Sequence, residues 1–262
     1  MRLPTARGIA LLAYLALQPG PQPRSRLAAL LWDAPDPVAR HRLRQELYRL
    51  QKGPVGDRLS SSRDAVTLEN APTDAEDFLR ALEAGAWDEA IHLWRGPFLA
   101  GFALTGAEAF ADWLALEREG WLGRYVTALA RRALEHEAAG REPEALRLWR
   151  RVLQEDPFHE EAHRRVLVLL AHGGRWDEAE RLFTAYRKRL HEELGLDPDP
   201  ETERLFQQLR DRKAMVRPAA APVPETLAHP PWSDATSCST RSNEPTPVRC
   251  CCWERPEAVR AT

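Results

Sequence analysis

Residues 36–50 read DPVARHRLRQELYRL, and this stretch decides the interpretation of the chain. Its apolar residues recur at helical spacing, which puts Ala39, Leu43, Leu47 and Leu50 on one stripe. The other side of the predicted helix carries basic and hydrogen-bonding side chains, namely Arg40, His41, Arg44, Gln45, Tyr48, Arg49 and Lys52. A helix divided in this way can pack on a core and still fill the major groove of DNA.

Two more helices are predicted in front of this one. Thr5 can cap a helix that runs through Leu17 and ends at the Pro-Gly-Pro of residues 19–21. Residues 24–32, RSRLAALLW, predict a second helix that closes near Trp32. The basic helix then starts with Asp36 as its expected N-cap and runs to about Lys52. This order is that of a helix-turn-helix.

A short hairpin is expected directly after the basic helix. Two runs with strand character, Leu59–Ser61 and Ala65–Leu68, flank a turn that contains Arg63. A hairpin in this place makes the unit a winged helix, and the side chain of Arg63 would reach the neighbouring minor groove. On the basic helix, arginine can pair with guanine edges and glutamine with adenine, while arginine and lysine also reach phosphates. The alternative is that this face is simply solvated.

The charge distribution favours the same end of the chain. Residues 1–70 hold 11 Lys and Arg against 6 Asp and Glu, a net charge of +5, whereas the whole chain has −2, so the other 192 residues carry −7. This asymmetry places a nucleic-acid surface at residues 1–70, the predicted DNA-binding domain. No apolar run approaches the length of about 18 residues that a membrane span needs. The four cysteines all fall within the last 25 residues.

Residues 73–213 are expected to form a second, wholly helical domain. The segment Gly140–Ala145 recurs 34 residues later as Gly174–Ala179, with a small alanine on the packing face of each copy. This period is typical of tetratricopeptide-like repeats, which stack helix pairs into a superhelix. An irregular helical bundle is the alternative. The sequence leaves open whether the groove of such repeats holds a peptide, a ligand or a second subunit.

The chain resembles the antibiotic-regulatory-protein (SARP) class of bacterial transcriptional regulators. Residues 11–17, 26–32 and 43–50 look like the OmpR-like winged helix of that class. Residues 93–102 (LWRGPFLAGF) and residues 192–202 look like its bacterial transcriptional activator domain. The resemblance extends from about Leu3 to Arg210. It implies a regulator, mainly an activator, whose helical domain mediates oligomerisation and contacts RNA polymerase, with two copies bound head to tail on direct repeats of double-stranded DNA.

The expected fold is therefore mainly α: a winged helix, a tetratricopeptide-like superhelix and a disordered tail at residues 214–262. Members of the class carry several strands before the first helix, and this chain starts where those strands should already have ended. Either the start of the sequence has been assigned too late, or the winged helix lacks these strands; in the second case one side of the first helix is expected to be exposed. In the tail, a reading frame shifted by one base turns Cys250–Glu254 into three leucines and a glycine. With GC-rich codons chosen elsewhere, it continues into GAAGSGKS, a phosphate-binding loop. The tail is therefore predicted to be frameshifted, in a chain related to the larger members of the class that carry an ATPase domain. The alternative is a natural disordered tail.

No catalytic or cofactor site is predicted. Residues 159–163, HEEAH, match the zinc motif H-E-x-x-H, but they lie in a repeat helix where Ala162 is the packing residue and no third ligand is evident. The prediction is thus a non-enzymatic regulator that acts in the cytoplasm at the nucleoid. The alternative is a protein-interaction scaffold whose first domain is vestigial and does not bind DNA.

Overall fold

The computed structural model describes residues 5–69 and 71–216. Within this part the chain is mainly helical, with a small sheet near the N-terminus. The elements in chain order are α1 (Ala6–Leu17), β1 (Gln22–Pro23), α2 (Arg24–Leu31), α3 (Asp36–Gln51), a 3-10 turn (Gly56–Arg58), β2 (Leu59–Ser61), β3 (Ala65–Leu68), α4 (Asp74–Glu83), α5 (Trp87–Leu93), α6 (Glu108–Ala138), α7 (Glu142–Glu155), α8 (Glu160–His172), α9 (Trp176–Leu194) and α10 (Pro200–Val216). We refer to residues 5–69 as the winged helix and to residues 74–216 as the helical array.

The winged helix packs three helices against a three-stranded antiparallel sheet. The strand order is β1-β3-β2, and the predicted hairpin pairs Leu59 with Leu68. Thr5 caps α1 as expected, because its hydroxyl oxygen accepts from the backbone N–H of Gly8 at 3.0 Å. The predicted stripe of α3 is buried: Ala39, Leu43, Leu47 and Leu50 are each at most 4% exposed. The core that these residues share with α1 and α2 fixes the direction in which α3 faces the solvent.

The start of α3 and the strand β1 differ from expectation. The helix begins at Asp36, with Pro35 as its cap. The backbone N–H groups of Val38 and Ala39 both donate to the Pro35 carbonyl, at 2.9 and 3.0 Å. Because these amides are already satisfied, the Asp36 carboxylate pairs instead with Arg40. Strand β1 has only two residues, one of them Pro23, and carries no strand signal; it exists because it pairs with β3.

The first helix is partly open on one side. Ala10, Leu11 and Tyr14 are buried in the winged-helix core, whereas Ile9 is 38% exposed and Leu12 is half-buried. α1 is the first element in the described residues.

In the helical array, the helices from α4 to α9 each pack against the next one around a second core, and α10 packs against α8. Glycine is the residue expected just after the C-terminus of a helix, and Gly85, Gly140, Gly174 and Gly195 each follow a helix with φ between 66° and 70°. The alanines of the two repeat copies are also buried, Ala145 at 0% and Ala179 at 3% exposure. Residues 217–262, which include the cysteines and the segment of the frame-shifted loop, lie outside the described residues.

Gly56 lies where the turn after α3 passes the end of that helix, and no side chain fits there. A Cβ atom at Gly56 would overlap the carbonyl oxygen of Gln51. We expect Gly56→Ala to lower the free energy of unfolding by about 1–3 kcal/mol, since overpacking forces the backbone to shift. Chemical denaturation followed by circular dichroism measures this change.

The matched control for this substitution is Gly123→Ala in α6. A Cβ atom there meets nothing within 4 Å. Alanine is favoured over glycine inside a helix by about 0.5–1 kcal/mol, so the control should be at least as stable as the parent. A Gly56→Ala protein as stable as the parent would contradict the close approach of the two backbone segments.

Candidate nucleic-acid interface

All eight side chains predicted to contact DNA lie on the surface. Seven of them lie along α3 and its C-cap, away from its buried leucines, and Arg63 lies in the turn between β2 and β3. Tyr48 is the most prominent apolar member, at 64% exposure. The hairpin strand β2 packs against α3, so the turn that carries Arg63 is attached to the same helix. α3 therefore presents one continuous exposed face, and the turn with Arg63 forms a second exposed element beside it.

Several of these side chains contact one another along the helix. The Gln45 amide nitrogen lies 3.0 Å from Nε2 of His41, and Arg40 donates to Asp36 at 2.9 Å. The ammonium group of Lys52 lies 5.8 Å from the centre of the Tyr48 ring. Exposed pairs of this kind contribute at most about 1 kcal/mol. These side chains can therefore exchange their local partners for bases or phosphates at little cost.

Glu46 is an acidic side chain on the buried side of α3, at 4% exposure. Its carboxylate accepts a hydrogen bond from the hydroxyl of Thr5, at the start of α1, and another from Arg49 at 3.1 Å. Gly8 allows this approach, because a Cβ atom there would lie 2.8 Å from the Glu46 carboxylate. Glu46 thus connects α3 to the first turn of α1 and orients the Arg49 guanidinium.

Two exposed residues of α3 were not among the predicted contacts. Arg42 lies two turns before Arg49 on the same flank of the helix and is exposed. Val38, at 44% exposure, lies in the first turn, the part of a recognition helix that contacts base edges. An exposed aliphatic side chain there suits a thymine methyl group. Because the helical wheel places Arg42 beside Arg49, the sequence pattern could have identified Arg42 as a candidate contact. An isolated valine such as Val38 gives no such indication.

The winged helix is tied to the helical array at the start of α6. The guanidinium of Arg7 donates to the carbonyl oxygens of Leu31 and Thr105, at 3.2 and 2.9 Å. The Asp33 carboxylate accepts from the backbone N–H of Glu108 at 3.1 Å, which satisfies a free donor in the first turn of α6. Phe110 is fully buried in the winged-helix core. The winged helix therefore has a defined attachment to the start of α6.

The zinc-like motif at residues 159–163 has other roles in the structure. Nδ1 of His159 accepts from the backbone N–H of Ala162 at 3.2 Å and caps α8. The Nε2 atom of His163 lies 2.9 Å from the carbonyl oxygen of Pro157, and burial lowers the pKa of this imidazole. In residues 5–69 and 71–216, no group of three or more potential metal ligands comes together.

The family comparison decides the class of the protein. A family model described as "Bacterial transcriptional activator domain" matches residues 59–210. The chain belongs to the bacterial transcriptional activator domain (BTAD) family. The BTAD match begins at strand β2 of the wing and ends within α10, so it includes the hairpin as well as most of the helical array. No curated protein matches the chain.

One solved structure with a related fold is Mycobacterium tuberculosis EmbR in complex with a low-affinity phosphopeptide. It matches with a TM-score of 0.59 at 19% sequence identity, over 80% of this chain and 60% of that chain. At this identity the likeness shows the fold alone. The BTAD chain therefore spans about 60% of the length of the EmbR structure.

None of the helices in the described part of the BTAD chain combines the length and the apolar character that crossing a bilayer requires.

Proposed function

We propose that this chain is a transcriptional regulator, in the sense of an activator, that binds specific sequences of double-stranded DNA. The observation that supports this best is the division of α3, whose leucines are buried while its basic and hydrogen-bonding side chains are exposed. Only the exposed side is available to a partner, and its chemistry matches that of a recognition helix. The description of the BTAD family as a transcriptional activator domain adds support.

The contacts divide into those that read bases and those that hold the backbone. Arg44 pairs with a guanine edge and Gln45 with adenine, since both side chains can form two hydrogen bonds in the major groove. His41 and Tyr48 lie on the same face and complete the reading surface. Phosphate contacts come from the flanks and from the wing, namely Arg40, Arg49, Lys52 and Arg63. Four cationic phosphate contacts give affinity without sequence preference.

The helical array mediates the protein contacts of the regulator. In this proposal it contacts RNA polymerase and a second copy of the chain, and two copies bind direct repeats head to tail. The hydrogen bonds of Arg7 and Asp33 support this division of roles, because they hold the winged helix against the start of α6. The regulator acts in the cytoplasm, at the nucleoid, where its DNA target lies.

Equilibrium binding to duplex DNA at increasing salt tests the proposal. An operator is first selected from a random duplex pool, and fluorescence anisotropy then measures its affinity and that of random DNA. Four phosphate contacts predict that the logarithm of the association constant falls against that of the salt concentration with a slope of about −4. A duplex with two direct repeats should bind two copies cooperatively. Absence of DNA binding at low salt would refute the proposal in favour of the scaffold with a vestigial winged helix.

Arg63→Ala should weaken binding to operator and random DNA by similar factors. The Arg63 side chain is exposed in the turn of the wing, and we assign it to the backbone and minor groove rather than to major-groove base edges. Loss of one phosphate contact lowers the magnitude of the salt slope by about 1. The anisotropy titrations above measure both quantities. A loss confined to the operator would show instead that Arg63 reads sequence.

A further inference from the structure

Gln45 lies near the middle of the exposed side of α3. Helical spacing places it almost opposite the buried leucines, and the neighbouring His41 and Tyr48 share its side. A side chain in this position points away from the core and towards the groove that a recognition helix enters. A glutamine reads adenine with its amide oxygen and one amide hydrogen, so the orientation of the amide group decides whether Gln45 can do so.

His41 distinguishes the two ends of this amide group. The amide nitrogen of Gln45 lies 3.0 Å from Nε2 of His41, which is one turn earlier on the helix. An amide nitrogen can only donate a hydrogen bond, so Nε2 of His41 must accept it. The imidazole is therefore neutral in this contact and carries its hydrogen on Nδ1. The contact uses one of the two amide hydrogens of Gln45.

The rest of the Gln45 amide group matches the edge of adenine. The contact with His41 leaves the second amide hydrogen and the carbonyl oxygen for a base. Adenine presents N7 as an acceptor and its N6 amino group as a donor in the major groove, so the two hydrogen bonds can form together. If the amide were turned over, its oxygen would face Nε2 of His41, which has no hydrogen to donate. His41 therefore favours one of the two orientations.

We propose that His41 is a positioning residue, which holds the Gln45 amide in the orientation that reads adenine and makes no base contact of its own. His41 has this role only if the chain binds DNA as proposed above. Immobilising one flexible side chain on binding lowers the affinity by a factor of about two to ten. Because the contact with His41 is compatible with the base contact, Gln45 keeps it on DNA and avoids part of this loss.

The position of the imidazole hydrogen tests the contact in the absence of DNA. Nitrogen NMR of the full chain with labelled histidines shows which ring nitrogen carries it, at about pH 8, where histidine is neutral. The chain has eight histidines, and the His41 signals are those missing from His41→Phe. We expect the hydrogen on Nδ1 in the parent and a smaller share of this tautomer in Gln45→Ala. A parent His41 with its hydrogen on Nε2 would refute the proposal.

The analogue 7-deazaadenine tests the effect on DNA recognition, because it replaces the N7 acceptor by a C–H group and keeps the base pair. It is placed at each adenine of the selected operator in turn, and fluorescence anisotropy measures the affinity. At one adenine in each repeat we expect the analogue to weaken binding of the parent about two- to tenfold, the contribution of one hydrogen bond. The same replacement should not affect binding of Gln45→Ala.

Variants of His41 separate positioning from other roles. His41→Phe keeps a ring but loses the acceptor, and it should reduce the loss caused by the analogue about twofold or more. His41→Asn offers an acceptor oxygen to Gln45 and should restore this loss. In Gln45→Ala, adding His41→Phe should not change the discrimination between operator and random DNA any further. His191→Phe is the matched control, because His191 is exposed on α9 in the helical array, and it should behave as the parent does.

Several outcomes would contradict a positioning role of His41. The role is excluded if His41→Phe responds to the analogue as the parent does, or if it lowers the discrimination further in Gln45→Ala, which would mean that His41 contacts a base itself. Specific operator binding without an adenine that depends on Gln45 would overturn the role of His41 alone and leave the proposed function in place. Absence of DNA binding would overturn both. Should His41→Phe fail to fold, His41→Ala removes the same acceptor and takes its place.

Discussion

Replacing Arg44 and Gln45 together by alanine should abolish most of the discrimination between the operator and random DNA. Each bidentate pair between a side chain and a base contributes about 1–3 kcal/mol of discrimination, so the double variant should lose about 2–6 kcal/mol. Random DNA should lose less affinity, because the flanking phosphate contacts remain. Anisotropy titrations with both duplexes at one salt concentration measure the ratio.

Two features of the structure make a direct effect of this substitution separable from unfolding. Both side chains are exposed, and neither Arg44 nor Gln45 belongs to the buried stripe of α3. Arg187→Ala is the matched control, because Arg187 is an exposed arginine on α9 in the helical array. It lowers the net charge as Arg44→Ala does and should leave the discrimination unchanged. An unaltered footprint of the double variant on the operator would show that another surface reads the bases.

Glu160→Ala should lower the free energy of unfolding by about 2–4 kcal/mol. The carboxylate of Glu160 accepts from the hydroxyl of Tyr186 at 2.6 Å, from that of Thr202 at 2.7 Å and from the backbone N–H of Asp199 at 3.2 Å. These groups connect α8, α9 and the start of α10. Tyr186 is 3% and Thr202 0% exposed, so both hydroxyls would be left buried without an acceptor. Each such group costs about 1–3 kcal/mol. Chemical denaturation at pH 7 measures the loss.

The neighbouring residue provides a matched control for Glu160→Ala. Glu161 pairs with Arg164 and Arg165 through a side chain that is 43% exposed. Partly exposed ion pairs contribute about 0–1 kcal/mol, so Glu161→Ala should be close to the parent in stability. Equal effects of the two substitutions would contradict the role of Glu160 as the link between the three helices.

The effect of Glu160→Ala should also depend on pH. Burial alone would raise the pKa of Glu160, but the hydrogen bonds from Tyr186, Thr202 and Asp199 outweigh burial and lower it below its ordinary value of 4.5. A lowered carboxyl pKa stabilises the folded state above the unfolded pKa, and this contribution is lost as the pH falls through the folded pKa. The difference between parent and variant should therefore be full at pH 7 and shrink below pH 4.5.

Features that depend on near neighbours in the chain could be predicted. The buried stripe of α3, the cap at Thr5, the turn around Arg63 and the helix end at Gly140 all follow from spacings of a few residues. The position of the candidate site was predictable for the same reason, since burial of one face of a helix exposes the other. Its assignment to base edges and phosphates remains a prediction.

Helical and strand periodicities are local properties of the chain, so the order of residues suffices to predict the helical class, the winged-helix order and the basic face of α3. The meeting of groups that are distant in the chain depends on the tertiary structure. It pairs β1 with β3, places Arg7 and Asp33 on the start of α6, and gathers three donors around Glu160. These contacts join residues far apart in sequence, and a hydrogen bond between such residues leaves no periodic trace in the order of amino acids.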